Sequence, residues 1–176
     1  MNVGARITSV LLVIVAAMLQ VSIIFRIEIG GATPDLLILV VAAIALQTGS
    51  ISGAAHGFLA GLAIATFAAL PIGPHALVGT LIGYAIGRLG EVLITDEHPA
   101  PPLLAGIFAT ITMHIGAPLV EFLVNPSIGR VDGLWTQAVL AALISAVLAV
   151  PVYLLVRRML VLAHTASARS SGASAS

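Results

Sequence analysis

Apolar residues run along this chain in six stretches, each ended by a short break that contains polar residues, proline or glycine. A helix of about 20 consecutive apolar residues crosses the hydrocarbon core of a bilayer. The stretches therefore predict an all-α integral membrane protein with six transmembrane helices, at residues 7–25, 34–48, 53–70, 74–89, 103–124 and 134–162. Together they form one predicted membrane domain over 1–162, followed by a disordered cytoplasmic tail over 163–176 that is rich in serine and alanine.

The second stretch is shorter than a bilayer is thick. Thr33 can cap its helix, Pro34 suits the first helical position, and Asp35 favours the positive end of the helix dipole. From there to Thr48 the helix measures about 22 Å, against a hydrocarbon core of roughly 30 Å. We expect this helix to be buried among its neighbours, to lie where the bilayer is thin, or to be re-entrant.

Proline and glycine mark the later breaks. The run 71–74 predicts a tight turn, so the third and fourth helices form an antiparallel hairpin. The segment 90–102 is the longest polar loop, and Asn125 with the residues after it ends the fifth helix. Pro151 predicts a kink in the sixth helix rather than its end.

Composition narrows the class of protein. Hydrophobic residues make up 60% of the chain and charged residues 8%, whereas about 25% of the residues in soluble globular domains are charged. An ordinary soluble enzyme is therefore excluded. Seven arginines balance seven acidic residues and lysine is missing, so the sequence lacks the basic surface of a nucleic-acid-binding protein. Without cysteine, the chain has no disulfide, iron–sulfur cluster or catalytic thiol.

Arginines are distributed unequally between the two sides that six spans define. Five lie on the side of the termini, at positions 6, 88, 157, 158 and 169, and two lie on the other side, at 26 and 130. The loops are short, so the positive-inside rule applies and predicts that both termini are cytoplasmic.

Two sets of three glycines, named here the glycine ladders, repeat every four residues in neighbouring predicted helices: Gly53, Gly57 and Gly61 in the third, and Gly79, Gly83 and Gly87 in the fourth. At this spacing each ladder lines one face of its helix. A face without side chains allows a second helix to approach closely, which strengthens dispersion contacts in lipid. The ladders therefore either pack against each other inside the chain or dock a helix of a partner protein.

Few ionisable residues fall inside the predicted spans, where a charge is costly and marks a candidate functional site. His114 and Glu121 lie two turns apart on one face of the fifth helix, a spacing of about 10 Å that is too long for direct contact. They form either a proton relay or cation site, or polar groups that face the bundle or the lipid headgroups. His56 and His75 lie near the ends of the third and fourth helices, at the predicted membrane interfaces.

Motifs of catalysis are missing from the sequence. It contains neither a phosphate-binding glycine-rich loop with its lysine, nor a serine-nucleophile elbow, nor the zinc-binding pattern H-E-x-x-H. We therefore expect no enzyme activity, no metal site and no cofactor.

The order of these features resembles that of MreD, the rod shape-determining membrane protein family of bacteria. The resemblance covers about residues 18–90 and is weaker afterwards. Besides the glycine ladders it rests on residues that follow in the family's order, which are Leu19-Gln20, Pro34-Asp35-Leu36-Leu37, Phe58, Pro71-Ile72-Gly73-Pro74-His75, Tyr84 and Arg88. Two positions depart from the family pattern: Ala65 stands where the family usually has an aspartate, and Gln47-Thr48-Gly49-Ser50 replaces a usually arginine-rich turn.

The resemblance to MreD implies a fold and a set of partners. The implied fold is that of the S-components, the six-helix substrate-binding subunits of energy-coupling-factor vitamin transporters. The implied role is non-catalytic, in the cell-elongation complex of the bacterial plasma membrane, with MreC, the actin-like MreB filament, RodA and a class B penicillin-binding protein as partners. The natural cytoplasmic contact points are charged residues at or beyond the ends of the spans: Arg88, Glu91, Asp96, Glu97, Arg157 and Arg158.

Two functions from different classes fit the sequence. The first is a scaffold subunit of the elongation complex, which needs helix faces for its partners and no chemistry. The second is an S-component-like subunit that captures a vitamin on the outer side through polar groups of the outer segments: Arg26, Glu28, His75, Asn125, Arg130, Asp132 and Trp135. Ligand pockets are usually lined by many aromatic side chains, and aromatic residues make up only 5% of this chain, which favours the scaffold.

Overall fold

Helices account for nearly all of the structure. The computed structural model describes residues 3–22, 33–93, 100–126 and 134–173, and 93% of these residues are helical, with no strand among them. The prediction of an all-α protein is confirmed. The helices of the described ranges are, in chain order, α1 Val3–Ser22, α2 Leu36–Thr48, α3 Ser50–Phe67, α4 Ile72–Leu93, α5 Ala100–Val124 and α6 Leu134–Ala173.

Among the described residues, three helical segments are long and apolar enough to cross a membrane, and these are Ser50–Phe67, Ala100–Val124 and Trp135–Ala163. Two further apolar segments, Arg6–Ser22 and Leu36–Thr48, are shorter. The apolar helices agree with the prediction of a membrane protein.

The short helix α2 is the centre of the bundle. Every residue from Leu37 to Leu46 is buried, and α2 packs against each of the five other helices. A helix that is apolar on all sides is stable when other helices surround it. Of the three arrangements predicted for this segment, the structure shows burial among neighbours.

Large apolar side chains cover the outside of the bundle. They include Leu11 and Met18 on α1, and Leu143 and Val147 on α6, all of which are more than half exposed. A continuous apolar surface of this kind is unusual for a soluble monomer and suits contact with lipid chains.

The turn between α3 and α4 lies at 68–71 rather than at the predicted 71–74. Ala69 adopts the left-handed conformation, with φ of 54°, and the Leu70 amide donates to the Ala65 carbonyl oxygen at 2.8 Å. This pattern ends α3 without a glycine. Proline is tolerated in the first turn of a helix because its amide proton is not needed there, so the second proline of the predicted turn belongs to α4.

Other helix ends also differ from the prediction. The cap of α2 is Asp35 rather than Thr33, and the helix begins at Leu36, two residues later than predicted. The predicted loop 90–102 is shorter, since α4 continues to Leu93 and α5 begins at Ala100. Several residues predicted to make outer or cytoplasmic contacts lie outside the described residues, and these are Arg26, Glu28, Asp96, Glu97, Arg130 and Asp132.

Helix α6 is longer than predicted. It does not end at Pro151, as predicted, and it continues to Ala173, through most of the segment predicted to be a disordered tail. Alanine has the highest helix propensity, and the segment 163–173 contains four alanines and no proline, so the helix has no local reason to stop at 162.

Candidate functional site

The glycine ladders face each other between α3 and α4. A Cβ atom added to Gly57 would overlap the backbone carbonyl oxygen of Gly79, and one added to Gly83 would overlap that of Gly53. The other ladder glycines that the structure describes lie against backbone in the same way, Gly61 against His75 and Gly87 against Gly49 and Ser50. Backbone therefore occupies the space of the missing side chains, and the ladders pack together inside the chain.

Gln20, Pro34 and Asp35 form one hydrogen-bonded cluster at the start of α2. Gln20 Oε1 accepts from the Leu36 amide at 2.9 Å, and Gln20 Nε2 donates to the Pro34 carbonyl oxygen at 3.0 Å. Asp35 Oδ1 accepts from the Ile38 amide at 3.2 Å. The first amides of a helix have no partner within the helix, so a buried start requires acceptors of this kind. Three residues that carry the resemblance to MreD thus act together.

Glu91 caps α3 from the end of α4. Its Oε1 accepts from the Ser50 amide at 2.7 Å and from the Ser50 hydroxyl at 2.8 Å, and its Oε2 accepts from the Arg88 guanidinium at 2.8 Å. Glu91 lies beyond the predicted span 74–89, and these donors, the Ser50 amide first, lower the pKa of its carboxyl from 4.5 to about 2. Glu91, which was predicted to be a cytoplasmic contact point, thus binds residues of its own chain, whereas the side chain of Arg88 is exposed.

His56 joins α3 to α1. Its Nδ1 lies 2.7 Å from the Ser52 carbonyl oxygen and its Nε2 lies 2.9 Å from the Ser9 hydroxyl oxygen. Because a carbonyl oxygen only accepts, Nδ1 carries a proton and donates it. His56 and Ser9 are both buried, so this hydrogen bond lies inside the bundle.

Glu121 pairs with His75 of α4 and not with His114 of its own helix. His75 Nδ1 lies 3.4 Å from Glu121 Oε1, and it also donates to the Pro71 carbonyl oxygen at 3.2 Å. His114 Nδ1 donates to the Thr110 carbonyl oxygen at 3.0 Å. The two residues of the predicted polar face of α5 therefore have different partners: Glu121 pairs with a residue of α4, and His114 binds the backbone of its own helix. His75 is buried among residues of the chain.

A half-enclosed cavity of about 230 Å³ lies at the end of the bundle that holds the α3–α4 turn. Every helix contributes to its wall, either directly or through the residues just before it. Its polar lining residues are Gln20, Thr33, Asp35, His75, His114 and Gln137. The Asp35 carboxylate lies within electrostatic reach of both histidines. This cavity, named here the polar cavity, gathers the ionisable groups of several helices at one place.

The remaining residues that carry the resemblance lie outside the polar cavity. Gly73 has open space where a side chain would extend, and Tyr84 is half exposed. Gln137 also lines the polar cavity, and it was not predicted as a site residue. Its position inside an apolar stretch could have indicated a functional role, because polar residues are rare within membrane spans. Within the described ranges, no three histidine or acidic side chains lie close enough together to hold a metal ion.

The family model described as rod shape-determining protein MreD matches residues 2–159. This match covers most of the chain and reaches from α1 into α6, well beyond the segment 18–90 that carries the sequence motifs. The chain belongs to the MreD family. The prediction of MreD from the order of the motifs is confirmed. No curated protein and no solved structure matches the chain.

Membership of the MreD family supports a role in rod shape determination and association with the rod-shape complex. Together with the apolar helices, it also supports a place in the membrane. MreD is a shape-determining family and not a known enzyme family.

Proposed function

We propose that this chain is a non-catalytic membrane scaffold subunit of the bacterial cell-elongation complex. In this proposal it links cytoplasmic MreB to MreC and to the peptidoglycan synthase, with RodA and a class B penicillin-binding protein among its partners. The observation that carries the proposal is the match to the MreD family over residues 2–159.

The packing of α3 and α4 supports a topology of six spans. Helix α3 is long and apolar enough to cross the membrane, and α4 packs against it from Gly53 opposite Gly83 to Gly61 opposite the His75 backbone. Two helices in contact over this length lie at the same depth in the bilayer. Helix α2 is surrounded by the other five helices, so it too lies within the membrane. With six spans, the arginine distribution puts both termini in the cytoplasm.

The division between the inside and the outside of the bundle supports a scaffold. Inside, the glycine ladders and α2 are used for contacts within the chain. Outside, α1 and α6 present apolar side chains such as Leu11 and Leu143. In lipid, membrane helices associate through close packing of such surfaces, so partner helices have apolar faces on which to pack.

Depletion of the protein in its own cells tests the scaffold function. We expect depleted cells to lose their rod shape and become round, and a plasmid copy of the wild-type gene to restore rods. Cells that keep their rod shape after the protein has disappeared, as judged by immunoblot, would contradict the proposal.

A substrate-binding subunit of a vitamin transporter is the second candidate, and the polar cavity is the observation that favours it. The cavity holds about 230 Å³, whereas sites for drug-sized ligands hold roughly 300–1,000 Å³. None of the described phenylalanine, tryptophan or tyrosine residues lines it. A vitamin therefore fits the cavity poorly. Uptake of labelled vitamins in depleted cells distinguishes the candidates, since only the transporter subunit predicts a loss of uptake.

A further inference from the structure

The polar cavity presents hydrogen-bond acceptors that the rest of the chain does not use. Asp35 and His75 are more than nine-tenths buried, and both line the cavity together with His114. One carboxylate oxygen of Asp35 accepts from the Ile38 amide at 3.2 Å. In the described part of the chain, that is the one hydrogen bond of this carboxylate.

In His75 and His114, a hydrogen bond to a backbone carbonyl oxygen determines which ring nitrogen can accept a hydrogen bond from a ligand. His75 Nδ1 and His114 Nδ1 each lie within 3.2 Å of the carbonyl oxygen four residues earlier, that of Pro71 and that of Thr110. A carbonyl oxygen only accepts, so Nδ1 of each ring carries a proton, and in the neutral form of the ring Nε2 is an acceptor. Neither Nε2 atom has a hydrogen-bond partner among the described residues.

Part of the lining of the polar cavity is apolar. Ile64, Leu70, Met113 and Pro118 contribute to its lining. Leu70 and Gln137 are exposed, so the cavity opens to the surface beside them. A ligand that matches this mixed lining has hydrogen-bond donors with positive charge and a short stretch of carbon.

We propose that the polar cavity binds a primary ammonium group carried on a short aliphatic chain. An ammonium group has a positive charge and N–H donors, and residues that line the cavity carry acceptors for such donors: the Asp35 carboxylate and the Nε2 atoms of His75 and His114. The carboxylate supplies the opposite charge, and the apolar lining residues contact the carbon chain. The proposal does not depend on the scaffold function, because it rests on the cavity alone.

A primary ammonium group can reach the polar cavity from two sources. One is a small soluble amine, and the other is the headgroup of an ethanolamine phospholipid in the surrounding bilayer. Both present the same chemistry to Asp35, so the experiment has one arm for each source.

Nitrogen NMR of the histidine side chains tests the proposal. The 15N-histidine-labelled protein is placed in nanodiscs of phosphatidylcholine and titrated with ethanolamine, or with ethylene glycol as the neutral control. In the second arm the nanodiscs contain phosphatidylethanolamine and no soluble amine. We expect the Nε2 signals of His75 and His114 to shift with the ammonium compound in at least one arm, and those of His56 to stay in place, because both of its ring nitrogens are occupied.

Two variants locate the site, and a third is the control. Asp35→Asn keeps an oxygen that can cap α2 but removes the charge, so it should weaken binding by about tenfold to a hundredfold. His114→Leu removes one acceptor and should weaken binding as well, which keeps the test decisive if Asp35→Asn does not fold. Glu91→Gln, at the opposite end of the bundle, should leave the dissociation constant unchanged.

Three results would overturn the proposal. The first is no shift of either histidine in either arm, and the second is an equal response to ethylene glycol. The third is an unchanged dissociation constant in folded Asp35→Asn and in His114→Leu. Binding in the ethanolamine arm alone identifies a soluble amine as the source, and binding in the phosphatidylethanolamine arm alone identifies the lipid headgroup.

Discussion

Single polar side chains in this protein satisfy the ends of helices to which they do not belong. Gln20 of α1 binds the start of α2, and Glu91 of α4 binds the start of α3. An unsatisfied backbone group costs several kcal/mol in hydrocarbon, so a helix that starts inside a membrane bundle needs such a partner. These caps also set the position of one helix against another.

Replacement of Gln20 by leucine tests the cap on α2. The Leu36 amide and the Pro34 carbonyl would lose their partners while they remain buried, so we expect the free energy of unfolding to fall by about 1–3 kcal/mol. Met18→Leu is the control, since Met18 is 62% exposed on the same helix. Denaturant titration of both variants in mild detergent measures the difference, and equal stabilities would contradict the cap.

Glu91 makes the stability of the fold depend on acid pH. Its carboxyl has a pKa of about 2 in the folded protein, against an ordinary value of 4.5. A lowered pKa in the folded state means that the stabilisation is fully present above pH 4.5 and is lost as the pH falls towards 2. Thermal unfolding of wild type and Glu91→Gln should therefore differ at pH 6 and converge towards pH 2. If the difference in unfolding temperature between wild type and Glu91→Gln were the same at every pH, the charge of the carboxylate would not contribute to stability.

At the scale of the helix, the apolar stretches predict where each helix lies, because a bilayer demands continuous hydrophobicity and proline or glycine marks the breaks. The ends are less predictable. The α3–α4 turn lies three residues earlier than the proline and glycine pattern places it, because Ala69 adopts a conformation more typical of glycine. The start of α3 depends on Glu91, which is 41 residues away from Ser50 in the sequence.

The candidate site depends on contacts between helices, and a single sequence does not predict which residues of different helices meet. Spacing places His114 and Glu121 on one helix face, too far apart for direct contact, and it does not reveal that the partner of Glu121 is His75 on the neighbouring helix. The glycine ladders were the more informative pattern, because a face without side chains implies a close neighbour. Which neighbour it is follows only from the packed structure, in which Gly57 lies opposite Gly79.

Leucine at Gly57 tests the packing of the ladders. Backbone of α4 occupies the place of the new side chain, so we expect the variant to lose at least about 1–3 kcal/mol and to accumulate poorly as folded protein. Gly73→Leu is a matched control on α4, since nothing lies within 4 Å of a Cβ at that position. Fluorescence-detected size-exclusion chromatography measures the folded fraction. A folded Gly57→Leu variant that loses only its partners would instead assign the ladder to an interface.

At the scale of the whole molecule, the bundle encloses one short apolar helix within five others and exposes apolar side chains around its circumference. Contacts within the chain fill the interior of such a protein, and its apolar exterior leaves surfaces on which lipid or partner helices can pack. Its charged residues are few, and those of α4 at the end opposite the α3–α4 turn, Arg88 and Glu91, form a local pair. The architecture thus fits an adaptor held in the bilayer.

Single cysteines test the proposed topology, because the chain has none of its own. Leu70→Cys lies in the exposed α3–α4 turn and Thr165→Cys lies near the end of α6. With six spans and cytoplasmic termini, an impermeant maleimide added to intact spheroplasts should label position 70 and reach position 165 only after lysis. Labelling of both positions in intact cells would contradict this topology.

Purification of the tagged protein from its own cells in mild detergent tests the central claim most directly. Mass spectrometry would identify both the proteins and the small molecules that elute with it. The scaffold function predicts MreC, RodA and a class B penicillin-binding protein in the eluate, at levels above those from a control strain that carries an unrelated tagged membrane protein. A pair of ATPase subunits with a retained vitamin, and none of these three proteins, would contradict it.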